Sequence, residues 1–213
     1  MRNGNDGYYD IDIDLDAALI ENGMVDEAFY LKDLKQRKLF LNDQINQFSV
    51  HDIVRHIMQI NREDFGKQTA QRKPVLLYVT SIGGDVDAGF ALIDAIRCSQ
   101  TPVHTINLGF QYSMGFLIGI AGHKRYATEN AKFLIHDGSN FIYNSGAKAQ
   151  DQMEFNKKVE ERVKQYIVSR THISPELYDQ RQRMEWYMFA DEAKELGITD
   201  FIIGQDCSLD EVI

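Results

Sequence analysis

Residues 74–85 read Pro-Val-Leu-Leu-Tyr-Val-Thr-Ser-Ile-Gly-Gly-Asp, and this stretch decides the fold class. The run from Pro74 to Thr80 is mainly apolar rather than alternating, which is typical of a parallel strand buried on both faces. Gly83 and Gly84 end the strand with a turn, and Asp85 stands where a helix would begin, a favourable place for an acidic side chain. A strand, a glycine turn and a helix in succession indicate α/β architecture.

The same rhythm of strand and helix continues on both sides of this stretch. Short apolar runs predict strands at 38–41, 74–80, 103–108, 125–128, 131–135 and 198–203. Helical spacing predicts helices after Asp85 and after Ser113, at 49–60 with Ser49 as N-cap, at 147–170, from Pro175, and at 191–196. The sequence has no internal repeat and no convincing linker, so these elements predict one domain over 28–213.

An acidic arm, residues 1–27, precedes that domain. Within it, residues 8–15 alternate as Tyr-Tyr-Asp-Ile-Asp-Ile-Asp-Leu, which fits either a half-exposed strand or a solvated acidic segment. The arm lacks a cationic start followed by an apolar run, so we expect no signal peptide. The longest apolar run, 114–121, is far shorter than the roughly 20 residues of a membrane span.

Composition limits the class of partner and the compartment. With 213 residues and 44% hydrophobic residues, the chain can form one substantial domain, and its net charge of −9 disfavours a nucleic-acid partner. The two cysteines, Cys98 and Cys207, have no zinc-type spacing and do not suggest a disulfide scaffold, so we expect a reducing, cytoplasmic location.

Two side chains after predicted strands are candidates for serine hydrolysis, which requires a hydroxyl and an imidazole that takes its proton. Ser113 lies in Gly-Phe-Gln-Tyr-Ser-Met-Gly, at the start of an almost wholly apolar helix, and His136 follows the strand 131–135. A lone serine at such a junction is usually a helix N-cap, and a lone histidine there is more often structural. His104 and His123 remain alternatives for the base by spacing alone.

Backbone N–H groups that could hold an oxyanion can also be proposed. The N–H of Met114, at the N-terminus of the helix after Ser113, has no intrahelical acceptor. Gly84 lets the backbone approach a substrate carbonyl closely and would supply a second N–H. The ordinary interpretation of Gly83-Gly84 is a simple turn.

Taken together, these segments carry a family resemblance. The double glycine at 81–85, the Tyr-Ser-Met-Gly at 112–115 and the Phe-Leu-Ile-His-Asp at 133–137 occur in the order found in ClpP, the proteolytic subunit family of the Clp protease. The stretch 187–200 resembles the family's segment after its catalytic aspartate, and the resemblance spans most of 30–204. It implies the ClpP/crotonase-like α/β fold of stacked strand–helix units with a protruding handle helix.

The resemblance implies a role for each matching residue. The family's nucleophile corresponds to Ser113 and its base to His136, while its oxyanion donors correspond to Gly84 and Met114. Its catalytic aspartate corresponds to Glu185, a departure that adds one methylene to the reach toward the imidazole. No metal and no organic cofactor are implied for this reaction.

Other departures mark the chain as a divergent member. The charged pair that precedes the family's aspartate is Arg183-Met184 here, the proline near the first glycine of the turn is Ile82, and Asp137-Gly138 replaces Gln-Pro after the histidine. Asp137 is an alternative third member of the triad. Because it is adjacent to His136, the two side chains of an extended segment would point to opposite faces.

The activity that the resemblance implies is that of a serine endopeptidase. It would cleave unfolded polypeptides inside a homo-oligomer of heptameric rings stacked in pairs, a tetradecamer, with the helix around 153–167 at the ring–ring contact. An ATP-driven AAA+ unfoldase would deliver folded substrates. The rival hypotheses are a catalytically impaired ring subunit, a crotonase-type acyl-CoA enzyme and a membrane-linked signal-peptide peptidase.

Overall fold

The computed structural model describes residues 19–138, 145–181 and 183–213, and the chain forms two compact units, 1–39 and 40–213. The segment 8–15, for which a strand or a solvated arm was expected, lies outside the described residues. The domain boundary between residues 27 and 28 remains a prediction. In the first unit, helix α1 (Val25–Lys35) was not predicted, because Ala28 alone among its residues is buried and the sequence shows no apolar stripe.

Within the described residues, eight strands form two sheets. The strands are β1 (Lys38–Leu41), β2 (Val75–Val79), β3 (Val103–Asn107), β4 (Phe110–Tyr112), β5 (Lys124–Thr128), β6 (Lys132–Ile135), β7 (Trp186–Phe189) and β8 (Phe201–Ile203). The larger sheet has the order β1-β2-β3-β5-β8, and its β2–β3, β3–β5 and β5–β8 pairings are parallel. All five residues of β2 are buried, which confirms the prediction of a buried parallel strand.

A second, three-stranded sheet has the order β4-β6-β7. Strand β4 runs parallel to β6, whereas β7 runs antiparallel to it. Neither β4 nor β7 was predicted as a strand from hydrophobic periodicity. This small sheet carries the residues of the candidate site at one of its edges.

The described part of the larger unit contains six helices. They are α2 (Gln47–Glu63), α3 (Val86–Cys98), α4 (Met114–Gly119), α5 (Gly146–Arg170), α6 (Pro175–Arg181) and α7 (Ala190–Glu195), with short 3₁₀ turns at Thr69–Gln71 and Leu209–Glu211. Helix α3 begins after Asp85, as expected, and the Asp85 carboxylate caps it by accepting from the Ala88 N–H at 2.7 Å. The predicted N-cap of α2 was wrong, because Asn46 caps this helix and Ser49 is the third residue of a capping box.

Helix α5 is held to the core at its C-terminal end. The Tyr166 hydroxyl donates to the Leu117 carbonyl at 3.1 Å, and the Arg170 guanidinium donates to the carbonyls of Ile120 and Gly122. Toward the N-terminal end, Met153 and Phe155 are more than half exposed. The 25-residue helix therefore exposes apolar side chains toward its N-terminal end while its C-terminal end packs on the core.

His104 on β3 gives the fold a pH dependence. Burial, the charge of Lys124 and the neighbouring His123 lower the pKa of His104 from 6.5 to about 4. Between these values the unfolded chain binds a proton there that the folded chain does not, so the free energy of unfolding falls as the pH drops from 6.5 toward 4. We expect His104→Gln to reduce this slope by up to about 1.4 kcal/mol per pH unit, the value for one proton.

Urea denaturation of wild type and His104→Gln at several pH values between 7 and 4 measures the effect. Stability curves that run parallel over this interval would contradict the assignment.

In the part of the chain that the structure describes, no helix combines the length and hydrophobicity that crossing a bilayer requires.

Candidate active site

Strands β4 and β6 bring Ser113 and His136 to the same edge of the small sheet. The parallel register pairs Tyr112, the last residue of β4, with Leu134 of β6. The Ser113 N–H then donates to the Leu134 carbonyl at 3.0 Å, which continues the pairing by one residue. Because carboxyl ends of parallel strands meet at one edge, Ser113 and His136, each following its strand, come to the same edge of the sheet.

Strand β7 brings a carboxylate to that edge from the opposite direction. Its antiparallel register pairs Trp186 with Ile135, so Glu185 lies across from His136. Glu185 Oε1 is 3.4 Å from His136 Nδ1, with the two side chains 59% and 27% exposed, respectively. This contact is longer than a well-formed hydrogen bond, and such contacts often tighten only when substrate binds.

Glu185, rather than Asp137, is the carboxylate that faces the imidazole. Among the described residues, Glu185 is the acidic side chain paired with His136 within 4 Å. Asp137 is exposed, and no ion pair with His136 is found for it in the described residues. The alternative of Asp137 as the third member therefore gains no support from the geometry.

The backbone at Ser113 is strained. Its φ of 54° and ψ of −121° fall in a region that residues other than glycine rarely occupy. Ser113 stands at the N-cap position of α4, yet its side chain makes no capping hydrogen bond. The N-cap interpretation therefore does not account for the serine, and the sharp turn between β4 and α4 presents a hydroxyl that does not cap the helix.

Gly83 allows the glycine turn to press against the serine. A Cβ on Gly83, whose φ is 100°, would lie 2.7 Å from Ser113 Cβ and 3.1 Å from the Met114 nitrogen. No side chain fits in that space. The turn thus lies directly beside both Ser113 and the first N–H of α4.

Gly84 has a φ of 147°, and a Cβ there would lie 2.2 Å from the Ile45 carbonyl oxygen. Hydrogen bonds between Ile45 and the two neighbours of Gly84 hold this backbone in place. The Ile45 N–H donates to the Gly83 carbonyl oxygen, and the Asp85 N–H donates to the Ile45 carbonyl oxygen, each at 2.8 Å. The N–H of Gly84 takes part in neither bond, so it is available to an incoming acceptor.

Met114 is the first residue of α4, where the N–H lacks an intrahelical acceptor. Its side chain is buried, and a Cβ on Gly89 of α3 would lie 2.2 Å from Met114 Sδ. Glycine at 89 thus makes room for the methionine and lets α3 and α4 pack closely. This packing fixes the N-terminus of α4 beside the glycine turn.

Sequence reasoning missed two contributors to this arrangement. Ser81 Oγ donates to the Asp43 carbonyl at 2.6 Å and accepts from the Gly83 N–H at 3.1 Å, so it secures the turn. Tyr187 donates its hydroxyl to Glu185 Oε2 at 2.7 Å. The i, i+2 spacing of Glu185 and Tyr187 on an extended segment was the available signal for the second contact.

Comparison with known proteins identifies the family. The family model for Clp protease matches residues 22–206. ATP-dependent Clp protease proteolytic subunit 2 of Treponema pallidum is 28% identical over 86% of this chain and 90% of its own. Subunit 3 of Streptomyces coelicolor is 32% identical over 80% of this chain and 76% of its own, and subunit 1 of Streptomyces avermitilis is 32% identical over 84% and 79%.

The mixed α/β fold with a parallel sheet is the fold of this class of serine peptidase, and the comparisons show the family. The chain belongs to the Clp protease family. It is a Clp-type serine endopeptidase with the ClpP fold, as the resemblance predicted. A crotonase-type acyl-CoA enzyme and a signal-peptide peptidase are thereby set aside.

Proposed function

We propose that Ser113 is the nucleophile, His136 the general base and Glu185 the residue that orients the imidazole. Ser113 Oγ attacks the peptide carbonyl carbon as His136 takes the hydroxyl proton, and the imidazolium then gives that proton to the leaving amine. A water molecule, deprotonated by His136, hydrolyses the acyl-enzyme and restores Ser113. The observation that carries the proposal is the meeting of three strand ends, with Glu185 3.4 Å from His136.

The N–H groups of Gly84 and Met114 would hold the oxyanion of the tetrahedral intermediate. Both belong to backbone that packs against Ser113, since the glycine turn leaves no room for a Cβ between itself and the serine. Such donors are fixed before the reaction, so they stabilise developing charge without reorganising.

Gly84→Ala is expected to lower kcat by about 10²- to 10³-fold, the loss typical of one oxyanion donor. The added methyl group cannot fit 2.2 Å from the Ile45 carbonyl oxygen, so the backbone must shift and carry the N–H away from its position. Peptide turnover by the assembled protein measures the effect. Gly66→Ala is the matched control, because Gly66 also has a positive φ, 86°, but has no atom within 4 Å of a Cβ.

A Gly66→Ala variant that loses as much activity as Gly84→Ala would show that backbone strain alone, rather than the position of the N–H, is responsible.

The substrate class proposed is unfolded polypeptide bound in an extended form. The backbone beside the site is accessible, since Gly84 is exposed and Ile82 is 60% exposed. An extended chain can hydrogen-bond to such backbone with little dependence on its sequence. A folded substrate cannot adopt this form, so an AAA+ unfoldase would have to supply it, in keeping with the ATP-dependent proteases that the relatives are named for.

Assembly into homo-oligomeric rings, heptameric and stacked in pairs, is the arrangement we propose. Helix α5 supports it, because Met153 and Phe155 expose apolar surface that a neighbouring copy could cover. A groove of about 730 Å³ between α3 and α5 is lined partly by Phe90, Ile93 and Val159. We place the reaction in the cytoplasm, where the free thiols of Cys98 and Cys207 stay reduced.

The test is cleavage of an unstructured polypeptide by the purified ring fraction from size-exclusion chromatography. Time-dependent appearance of short peptides with wild type is the expected result. Rings that leave the polypeptide intact, while binding to an active paralogue, would favour the impaired structural subunit instead.

A further inference from the structure

The Glu185 carboxylate has a polar neighbour at each of its oxygens. Oε1 faces His136 Nδ1 at 3.4 Å, and Oε2 accepts from the Tyr187 hydroxyl at 2.7 Å. A side chain that is 59% exposed would otherwise move among several rotamers, and keeping it aimed at the imidazole would cost conformational entropy. The hydroxyl of Tyr187 reduces that cost by giving the second oxygen a fixed donor.

Tyr187 is itself held in place. Its ring meets the ring of Tyr112 edge-on, with centroids 5.7 Å apart and planes at 88°. The two tyrosines stand in one cross-strand row, because Leu134 of β6 pairs with Tyr112 on one side and with Tyr187 on the other. Tyr112 directly precedes Ser113, so one contact chain links the serine turn to the carboxylate.

We propose that Tyr187 is a positioning residue for the peptidase reaction, its hydroxyl fixing the Glu185 carboxylate against His136. The inference rests on the proposed function, since it assigns Glu185 a role in the triad. The hydroxyl of Tyr187 bonds to Glu185 and the ring meets Tyr112, so Tyr187 is assigned no part in the chemical step itself. It acts through Glu185, which must stay aimed while His136 becomes positively charged.

The donor stays protonated at the pH of the reaction. The hydrogen bond to Glu185 is the main cause that raises the pKa of Tyr187 above its ordinary value of 10, so the phenol is neutral at pH 7 to 9 and can donate. A neutral donor leaves the negative charge on the carboxylate, where it can stabilise the imidazolium.

A purely structural role is the alternative for this hydrogen bond. Tyr187 is 54% exposed, and hydrogen bonds near the surface contribute little net stability because water replaces them readily. The buried residues of β7 are Trp186 and Met188, which hold the strand on the core side. Removing the hydroxyl should therefore leave the fold intact and affect the site alone.

The experiment is a double-mutant cycle on the assembled protein with a fluorogenic peptide. Tyr187→Phe keeps the ring and removes only the oxygen. We expect kcat to fall about tenfold, because the variant lacks a hydrogen bond to a charged group that acts in the chemical step. KM should stay within about twofold of wild type, because Glu185 is not assigned a part in substrate binding. In a Glu185→Gln background, the same change should alter kcat by less than about twofold, since the carboxylate that the hydroxyl positions is already absent.

Tyr126→Phe, on β5 of the larger sheet, is the control for loss of a tyrosine hydroxyl and should match wild type. Melting temperature and ring elution confirm that every variant folds and assembles. A Tyr187→Phe variant that keeps the wild-type kcat would overturn the positioning role. An equal loss of kcat in the wild-type and Glu185→Gln backgrounds would do the same, and either result would leave the triad intact. A wild-type ring that neither turns over peptide nor reacts with a fluorophosphonate removes the proposed function, and the role of Tyr187 with it.

Discussion

Ser113→Ala is expected to lower kcat by about 10³- to 10⁶-fold, the range for loss of an activated nucleophile. Alanine removes the oxygen that attacks the carbonyl, and neither a water molecule nor His136 can replace it at that position. The fold should survive, because the Ser113 side chain makes no capping hydrogen bond and alanine adds no atom. Peptide turnover by size-selected rings measures the loss.

Ser145→Ala is the matched control for this variant. Ser145 also stands at a helix N-cap position, that of α5, without a capping hydrogen bond from its side chain. It should retain full activity. A Ser113→Ala ring that keeps more than about a tenth of wild-type kcat would contradict the assignment, since no mechanism through this serine permits it.

Glu185→Gln is expected to lower kcat by about 10²- to 10³-fold. A neutral amide cannot stabilise the imidazolium, and its N–H₂ group favours the wrong tautomer of His136. Loss of a buried triad carboxylate costs about 10⁴. We expect a smaller effect here because Glu185 is 59% exposed and water can partly replace its charge. Single-turnover and steady-state kinetics measure the change.

Two companion variants separate the hypotheses for the third member. Glu185→Asp withdraws the carboxylate by one methylene, about 1.5 Å, from a contact that is already 3.4 Å long, so an intermediate loss is expected. Asp137→Asn should remain close to wild type, because Asp137 is not the carboxylate paired with His136. The reverse pattern, with Asp137→Asn inactive and Glu185→Gln active, would move the triad to Asp137.

Hydrophobic pattern predicted most of the larger sheet, most clearly at β2, where all five residues are buried. Strand β2 is apolar throughout, and its shortness, with Pro74 before it and Gly83-Gly84 after it, favours a buried strand over a buried helix. Strand β4 was not predicted because its central residue, Gln111, is polar yet buried. The Gln111 side-chain amide donates to the Val79 carbonyl. Strand β7 was not predicted for the opposite reason. Its sequence, Trp-Tyr-Met-Phe, is apolar throughout, so the residue types do not show the alternation of buried and exposed positions that the strand has.

The candidate site was only partly accessible to sequence reasoning. The residue types and spacing identified Ser113 and His136 as candidates, but the assignment of Glu185 came from the resemblance. The contact between Tyr187 and Glu185 depends on side-chain direction, and the row that joins Tyr187 to Tyr112 depends on how β4, β6 and β7 pair. A one-residue change in register would move every side chain to the other face, and the sequence of a short strand does not fix it.

The central claim is that Ser113 is an activated serine. Fluorophosphonate labelling of purified rings, wild type beside Ser113→Ala, tests it most directly, with the number of adducts read from the intact mass. The account predicts one adduct per wild-type chain and none in the variant. Wild-type protein that elutes as an assembled ring and takes up no adduct would contradict it.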